Sequence, residues 1–141
     1  MRAIDFFMRA GEFEAEVKSL VAAKIKAMEM AQLAVSSTEE RVSGGNVNRV
    51  EKKYMALAEY SERLDDKLYE LYKIQNEIFE VVRELDDSRH RVLLMERYIN
   101  CQTWEAVASR MDYSLRQVMR LHDDVLKAAQ VVIECRTRNA V

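Results

Sequence analysis

Residues 103–121 read TWEAVASRMDYSLRQVMRL, and this stretch gives the strongest indication of how the chain folds. Two short helical patterns meet at a polar turn around Asp112. The positions that must form a small core between them hold small or apolar residues: Val107, Ala108, Met111, Tyr113, Val118 and Leu121. The pattern is typical of a helix-turn-helix, whose second helix enters the major groove of DNA. Asp112 replaces the usual glycine of the turn, and aspartate tolerates the left-handed backbone conformation better than most residues.

Capping residues predict where the helices of this unit begin. Thr103 precedes a helix over Trp104–Met111, because its hydroxyl can accept a hydrogen bond from a free backbone amide of the first turn. Ser114 and Gln117 form a capping-box pattern at the start of the last helix, predicted over residues 115–135.

The composition of the rest of the chain favours long helices. The 141 residues include no proline and three glycines. A coiled-coil seam in steps of four and three runs from Val50 to Leu85, and turn formers near 36–48 separate it from an earlier apolar pattern over residues 4–35. We therefore predict an all-α protein, with a long antiparallel coiled-coil-like hairpin in residues 1–87 and a three-helix head in residues 88–141.

Charge is distributed unevenly along the chain. The formal net charge is −2, but residues 88–141 hold nine Lys or Arg against six Asp or Glu. The basic excess lies on the predicted head, where phosphate contacts would need it, yet it is small enough that one head alone should bind weakly. We therefore expect self-association, with a dimer favoured, through the additional apolar positions Tyr60, Tyr72 and Phe79. Packing within one chain is the alternative.

Seven polar residues of the head are predicted to contact DNA. Arg116, Gln117 and Arg120 lie away from the apolar stripe of the last helix and can read guanine or adenine through paired hydrogen bonds. Four others suit the sugar-phosphate backbone: Thr103, Arg110, Ser114 and Lys127. Asp123 and Asp124 would repel phosphates, so we expect only the first two turns of this helix to enter the groove.

The sequence predicts neither an enzyme nor a cofactor or metal site. It has no glycine-rich phosphate loop, and its two histidines and two cysteines lack the spacing of zinc ligands. His122 and Trp104 are interpreted as core residues of the head. No run of about 20 uninterrupted apolar residues predicts a membrane span. We expect a cytoplasmic protein with reduced cysteines.

The carboxy-terminal third resembles region four of bacterial sigma factors and, more closely, a family of small phage-encoded regulators related to that region. The segments that carry the resemblance are Arg97-Tyr98-Ile99, TWEAVA at 103–108, YSLRQVMRLH at 113–122 and the turn VSGGNVNRVEKK at 42–53. The resemblance implies a phage or prophage transcriptional regulator in which Arg116, Gln117 and Arg120 occupy the DNA-facing positions. Two residues depart from the pattern: Cys101 stands where the family usually has glycine, and Met119 replaces a residue that is often polar in sigma factors.

The leading prediction is a DNA-binding transcriptional regulator that reads double-stranded DNA with helix 115–135. Its hairpin would oligomerise or dock to a partner such as RNA polymerase. Nothing resembles the sigma region that melts promoters, so a complete sigma factor is not expected. Two alternatives stay open. One is the small subunit of a DNA-packaging terminase, which joins a helix-turn-helix to an oligomerising helix pair and assembles into rings. The other is a protein-binding module that contacts RNA polymerase.

Overall fold

The computed structural model describes the backbone of residues 1–40 and 44–140, and the side chains of residues 1–33 and 48–140. This part of the chain is 89% helical and contains no strand, which confirms the all-α prediction of a long helical hairpin followed by a helical head. The elements are α1 (Ala3–Glu40), α2 (Gly44–Arg83), α3 (Ser88–Leu94) with a π-helical turn (Met95–Ile99), α4 (Trp104–Met111) and α5 (Leu115–Asn139). None of the helices described is long and apolar enough to cross a membrane.

The helix boundaries can be compared with the predicted ones. The helix predicted over Trp104–Met111 is α4, while α5 continues to Asn139, beyond the predicted end at residue 135. The turn predicted near 36–48 is wrong for the residues that the structure describes there, because α1 continues to Glu40 and α2 begins at Gly44. Residues 41–43 of that prediction lie outside the described residues.

The chain forms two compact units, one of Phe13–Glu70 and one of Met1–Glu12 together with Leu71–Val141. The predicted domain boundary after residue 87 coincides with the start of α3, where Asp87 is the N-cap. The Asp87 side chain accepts a hydrogen bond from the Arg89 amide at 2.9 Å. The division into domains at residue 87 stays a prediction.

The unit of Phe13–Glu70 is a pair of helical segments from α1 and α2. Lys67 ties them together, since its Nζ lies 2.9 Å from Glu16 Oε2 and 4.9 Å from the centre of the Phe13 ring. The hydrogen bond with Glu16 raises the pKa of Lys67. Of the predicted seam, Leu64 is buried, whereas Tyr54 and Leu68 are exposed. Two helices in contact bury only a narrow stripe of each, so the second row of a coiled-coil pattern stays accessible.

The other unit contains the head. Its fully buried side chains come from α1, α2 and all three helices of the head: Phe7, Ile78, Val81, Leu93, Leu94, Val107, Val118 and Val125. The amino terminus is fixed to α5 by Gln130, whose Oε1 accepts from the Ala3 amide at 2.7 Å and whose Nε2 donates to the Met1 carbonyl at 3.2 Å. The Phe7 ring stacks on Tyr98 with 5.4 Å between ring centres. The sequence pattern did not predict this attachment of the first helix.

Candidate nucleic-acid interface

The turn between α4 and α5 has the geometry that a helix-turn-helix requires. The Ala106 amide donates to Thr103 Oγ1 at 3.2 Å, which caps α4 as predicted. Asp112 ends that helix in the left-handed conformation, with φ 56° and ψ 38°, and its amide donates to the carbonyls of Ala108 and Ser109. The Tyr113 amide then donates to Ala108 O at 3.0 Å. The small Ala108 is buried at this close approach, so the predicted turn is confirmed.

The start of α5 is closed by the predicted capping box. The Gln117 amide donates to Ser114 Oγ at 3.1 Å, and the Ser114 amide donates to Gln117 Oε1 at 2.8 Å. Paired hydrogen bonds to adenine need both the oxygen and the nitrogen of a glutamine amide. Because the box already uses Oε1 of Gln117, capping competes with base recognition at this position. The DNA contact of Gln117 stays a prediction.

All seven residues predicted to contact DNA are exposed. On α5 the buried positions Val118, Leu121 and Val125 define the inward side. Arg138 lies on the same outer side near the end of α5. Helix geometry places the three cations that were predicted to contact DNA within about 40° of one another around the helix axis. These cations are Arg116, Arg120 and Lys127. Among the described residues, none of the three has an ion pair, so their charge is available to an external anion.

Most of the other basic residues of the head have partners within the fold. Five arginines of residues 88–140 are engaged in this way: Arg89 with Asp87, Arg91 with the Leu85 carbonyl, Arg97 with the Gln102 carbonyl, Arg110 with Glu96 and Arg136 with Glu84. These five arginines therefore differ from Arg116, Arg120 and Lys127, which have no ion pair among the described residues.

Arg110 belongs to the engaged group although the sequence predicted a contact with the DNA backbone. Its Nη1 lies 3.1 Å from Glu96 Oε1, and Glu96 is largely covered. The other carboxylate oxygen of Glu96 is buried and accepts no hydrogen bond from the described residues. Arg110 therefore balances a carboxylate that is expensive to bury alone. A phosphate contact by Arg110 stays a prediction.

His122 and Tyr98 form a buried polar pair beneath α4. His122 Nε2 lies 2.6 Å from the Tyr98 hydroxyl, and the Trp104 ring meets the imidazole edge-on at 4.6 Å. Burial lowers the pKa of His122 and raises the pKa of Tyr98 to about 12. Both groups are therefore neutral near pH 7 and share one hydrogen bond, and the burial of His122 confirms it as a core residue. Within the described residues, no group of three or more His, Cys, Asp or Glu side chains could hold a metal ion.

This pair predicts that the protein is less stable in mild acid. The folded-state pKa of His122 lies below its ordinary value of 6.5, so the unfolded chain binds the proton first. The contribution of neutral His122 to the free energy of unfolding is fully present above about pH 6.5. It is lost as the pH drops from there toward the folded-state pKa, and the free energy of unfolding then falls by at most about 1.4 kcal/mol per pH unit for one proton. Urea unfolding followed by Trp104 fluorescence between pH 7.5 and 5 measures the slope.

The His122→Gln variant is the control for that slope. It should be less stable at pH 7.5 but should lose less stability between pH 7.5 and 5 than the parent chain. Asp87 does not contribute to the slope in this range. Its hydrogen bonds to Arg89 lower its pKa to about 2, so its carboxylate stays ionised between pH 7.5 and 5. An equal slope in the parent chain and the variant would show that His122 is not the titrating group.

Cys101 has a backbone in the left-handed region, with φ 53°, and follows Asn100, the C-cap of the π-helical turn. Glycine adopts this conformation without the steric cost that a side chain imposes. Cys101→Gly should therefore raise the free energy of unfolding by about 0.5–1 kcal/mol, as measured by urea denaturation. Asn100→Gly is the matched control, because Asn100 has φ −84° and glycine there should lower stability. A loss of stability in both variants would contradict the prediction.

The chain was compared with known protein families, and one family matches most of its length. Residues 33–130 match the family described as "Protein of unknown function (DUF1492)". The chain belongs to this family. The DUF1492 match extends from α1 into α5 and includes all seven residues predicted to contact DNA. No curated protein and no solved structure matches the chain.

Proposed function

We propose that this DUF1492 protein is a DNA-binding transcriptional regulator of the phage type that reads duplex DNA with the first two turns of α5. The observation that carries the proposal is the accessibility of the Arg116 and Arg120 side chains. Both are exposed on the outer side of α5 and, among the described residues, have no ion pair. An α-helix fits the major groove, where guanine O6 and N7 accept paired hydrogen bonds from arginine. The helix-turn-helix geometry and the resemblance to sigma region four support the same function.

The predicted backbone contacts are compatible with the capping bonds. Thr103 and Ser114 accept hydrogen bonds from amides, and each hydroxyl still has its own proton to donate to a phosphate oxygen. Lys127 adds a cation two turns beyond Arg120. Asp123 lies between Arg120 and Lys127 on the same side of α5. Its charge opposes deep insertion there, so the groove should receive the helix start while Lys127 contacts a phosphate.

Salt-dependent binding of the full chain to DNA tests the proposal. A fluorescently labelled 30-base-pair duplex pool of random sequence is titrated with protein at several salt concentrations. The logarithm of the association constant should fall as the logarithm of the salt concentration rises, with a slope of about −1 for each phosphate that a cation such as Lys127 neutralises. A folded sample that binds no duplex at about 50 mM salt would rule the proposal out.

We further propose that the helical hairpin joins two heads. The unit of Phe13–Glu70 leaves several large apolar side chains exposed: Val21, Ile25, Met28, Tyr54 and Leu68. The first three recur at spacings of four and three, so they form one row on α1. Exposed apolar rows of this kind mark association surfaces. A dimer would offset the weak charge of one head by placing two heads on paired half-sites.

The three residues predicted to recruit a second chain differ in accessibility. Tyr72 and Phe79 are exposed, whereas Tyr60 is half-buried. Light scattering of the full chain measures the assembly, and a mass of two chains is expected. A ring of eight or more chains would instead favour the small terminase subunit, which shares a helix-turn-helix and an oligomerising helix pair.

A further inference from the structure

Two apolar side chains lie on the outer surface of α5 beside the arginines. Leu115 is 46% exposed and Met119 is 38% exposed. Residues four positions apart are neighbours on a helix surface, so these two form a row, and Arg116 and Arg120 form a second row next to it. Both rows lie in the first two turns of α5. They define a four-residue face, Leu115, Arg116, Met119 and Arg120, which we call the reading face.

The capping box limits what else the start of α5 can present. Gln117 Oε1 accepts from the Ser114 amide, so this side chain turns back toward the helix start. Beyond Arg120 the next residue on the outer side is the acidic Asp123. The chemistry left to the reading face is therefore two guanidinium groups and two aliphatic side chains.

This chemistry matches particular base edges of the major groove. Arginine pairs with guanine O6 and N7, and the thymine C5-methyl is the apolar group that the groove offers. We propose, resting on the DNA-binding function above, that the reading face selects sites in which guanine and thymine lie close together. Arg116 and Arg120 pair with guanines, while Leu115 and Met119 pack against thymine methyl groups. Four helical residues rise about 6 Å, which is close to two base steps, so each pair of contacts should be about two base pairs apart.

Selection and methyl deletion test this inference on the full chain. Repeated selection from a random duplex pool gives the preferred site, which should contain both guanine and thymine. Each thymine of that site is then replaced by deoxyuridine, which lacks only the C5-methyl group. Loss of one contacted methyl should weaken binding by about threefold to tenfold. Met119→Ala should bind the thymine and deoxyuridine duplexes nearly equally at the position that Met119 contacts.

Val131→Ala is the matched control. Val131 is an exposed apolar residue on the same helix, three turns beyond Met119, and its removal should leave the discrimination between thymine and deoxyuridine unchanged. Met119 is accessible, so thermal unfolding of Met119→Ala should match that of the parent chain, and an altered affinity can then be assigned to the interface.

The outcomes separate this inference from the proposed function. Salt-sensitive binding to the selected duplex with no effect of any deoxyuridine overturns the inference and leaves DNA binding in place. Absence of salt-sensitive duplex binding overturns both. If Leu115→Ala and Met119→Ala keep the discrimination but weaken association with purified RNA polymerase, the aliphatic row contacts protein, and the inference is also overturned.

Discussion

Replacing Phe7 with alanine is expected to lower the free energy of unfolding of the unit that contains the head by about 3–5 kcal/mol. The Phe7 side chain is fully buried, and its ring stacks on Tyr98. Tyr98 in turn holds His122 of α5 through its hydroxyl. Removal of the ring leaves a cavity at the junction of α1 with the head and takes away one side of the Tyr98 contact.

Trp104 provides the measurement for Phe7→Ala. It is the one tryptophan of the chain and lies in α4 against His122. Its fluorescence during urea unfolding therefore reports on the head, while the mutation lies in the first helix. Met8→Ala is the neighbouring control, because Met8 is 50% exposed and should change stability by less than about 0.5 kcal/mol. A Phe7→Ala effect below about 1 kcal/mol would mean that residues 1–12 do not stabilise the head.

The double variant Arg116→Ala, Arg120→Ala is expected to weaken binding to the preferred duplex at least 30-fold. Each arginine that pairs with a guanine contributes about 1–3 kcal/mol of discrimination, so loss of both should cost at least about 2 kcal/mol. Stability should change by less than about 0.5 kcal/mol per residue, since both side chains are exposed and have no ion pair among the described residues. Fluorescence anisotropy at fixed salt gives the affinity.

Arg138→Ala is the matched control for this variant. Arg138 is exposed and, within the described residues, has no ion pair, but it lies 18 residues beyond Arg120, or about 27 Å along α5. Its removal should change affinity by less than about threefold. Arg110→Ala is not a control, because Arg110 is itself a predicted phosphate contact, and loss of its ion pair with Glu96 should also reduce stability. If the double variant binds like the parent chain, the start of α5 does not contact DNA.

The helices and their caps could be predicted from local sequence. Thr103, Ser114 and Gln117 act within three residues of their own helix start, and Asp112 reverses the chain through its own backbone conformation. Capping and turn residues of this kind can be recognised in the sequence, because their effect depends only on residues a few positions away in the chain. The helical hairpin followed by a helical head was predictable from the periodicity of the apolar residues, although Gly44 and Gly45 of the predicted turn lie in α2.

The seam of α2 shows where periodicity stops being informative. Leu64 and Leu68 belong to the same predicted coiled-coil pattern, but one is buried and the other is exposed. The pattern records which residues are apolar, whereas burial depends on how many helices surround α2. A second chain or a further helix would be needed to cover the remaining row.

Sequence alone therefore determined the helical elements, their caps, the left-handed turn and the outward position of Arg116 and Arg120 relative to the buried stripe of α5. Only the tertiary structure decided which arginines are engaged in ion pairs within the fold and which residues of α1 pack against the head. Arg110 meets Glu96 and Arg136 meets Glu84 across the fold, and Phe7 reaches Tyr98 from the other end of the chain. Local signals depend on residues a few positions apart, whereas these pairings join residues far apart in sequence and exist only once the helices pack.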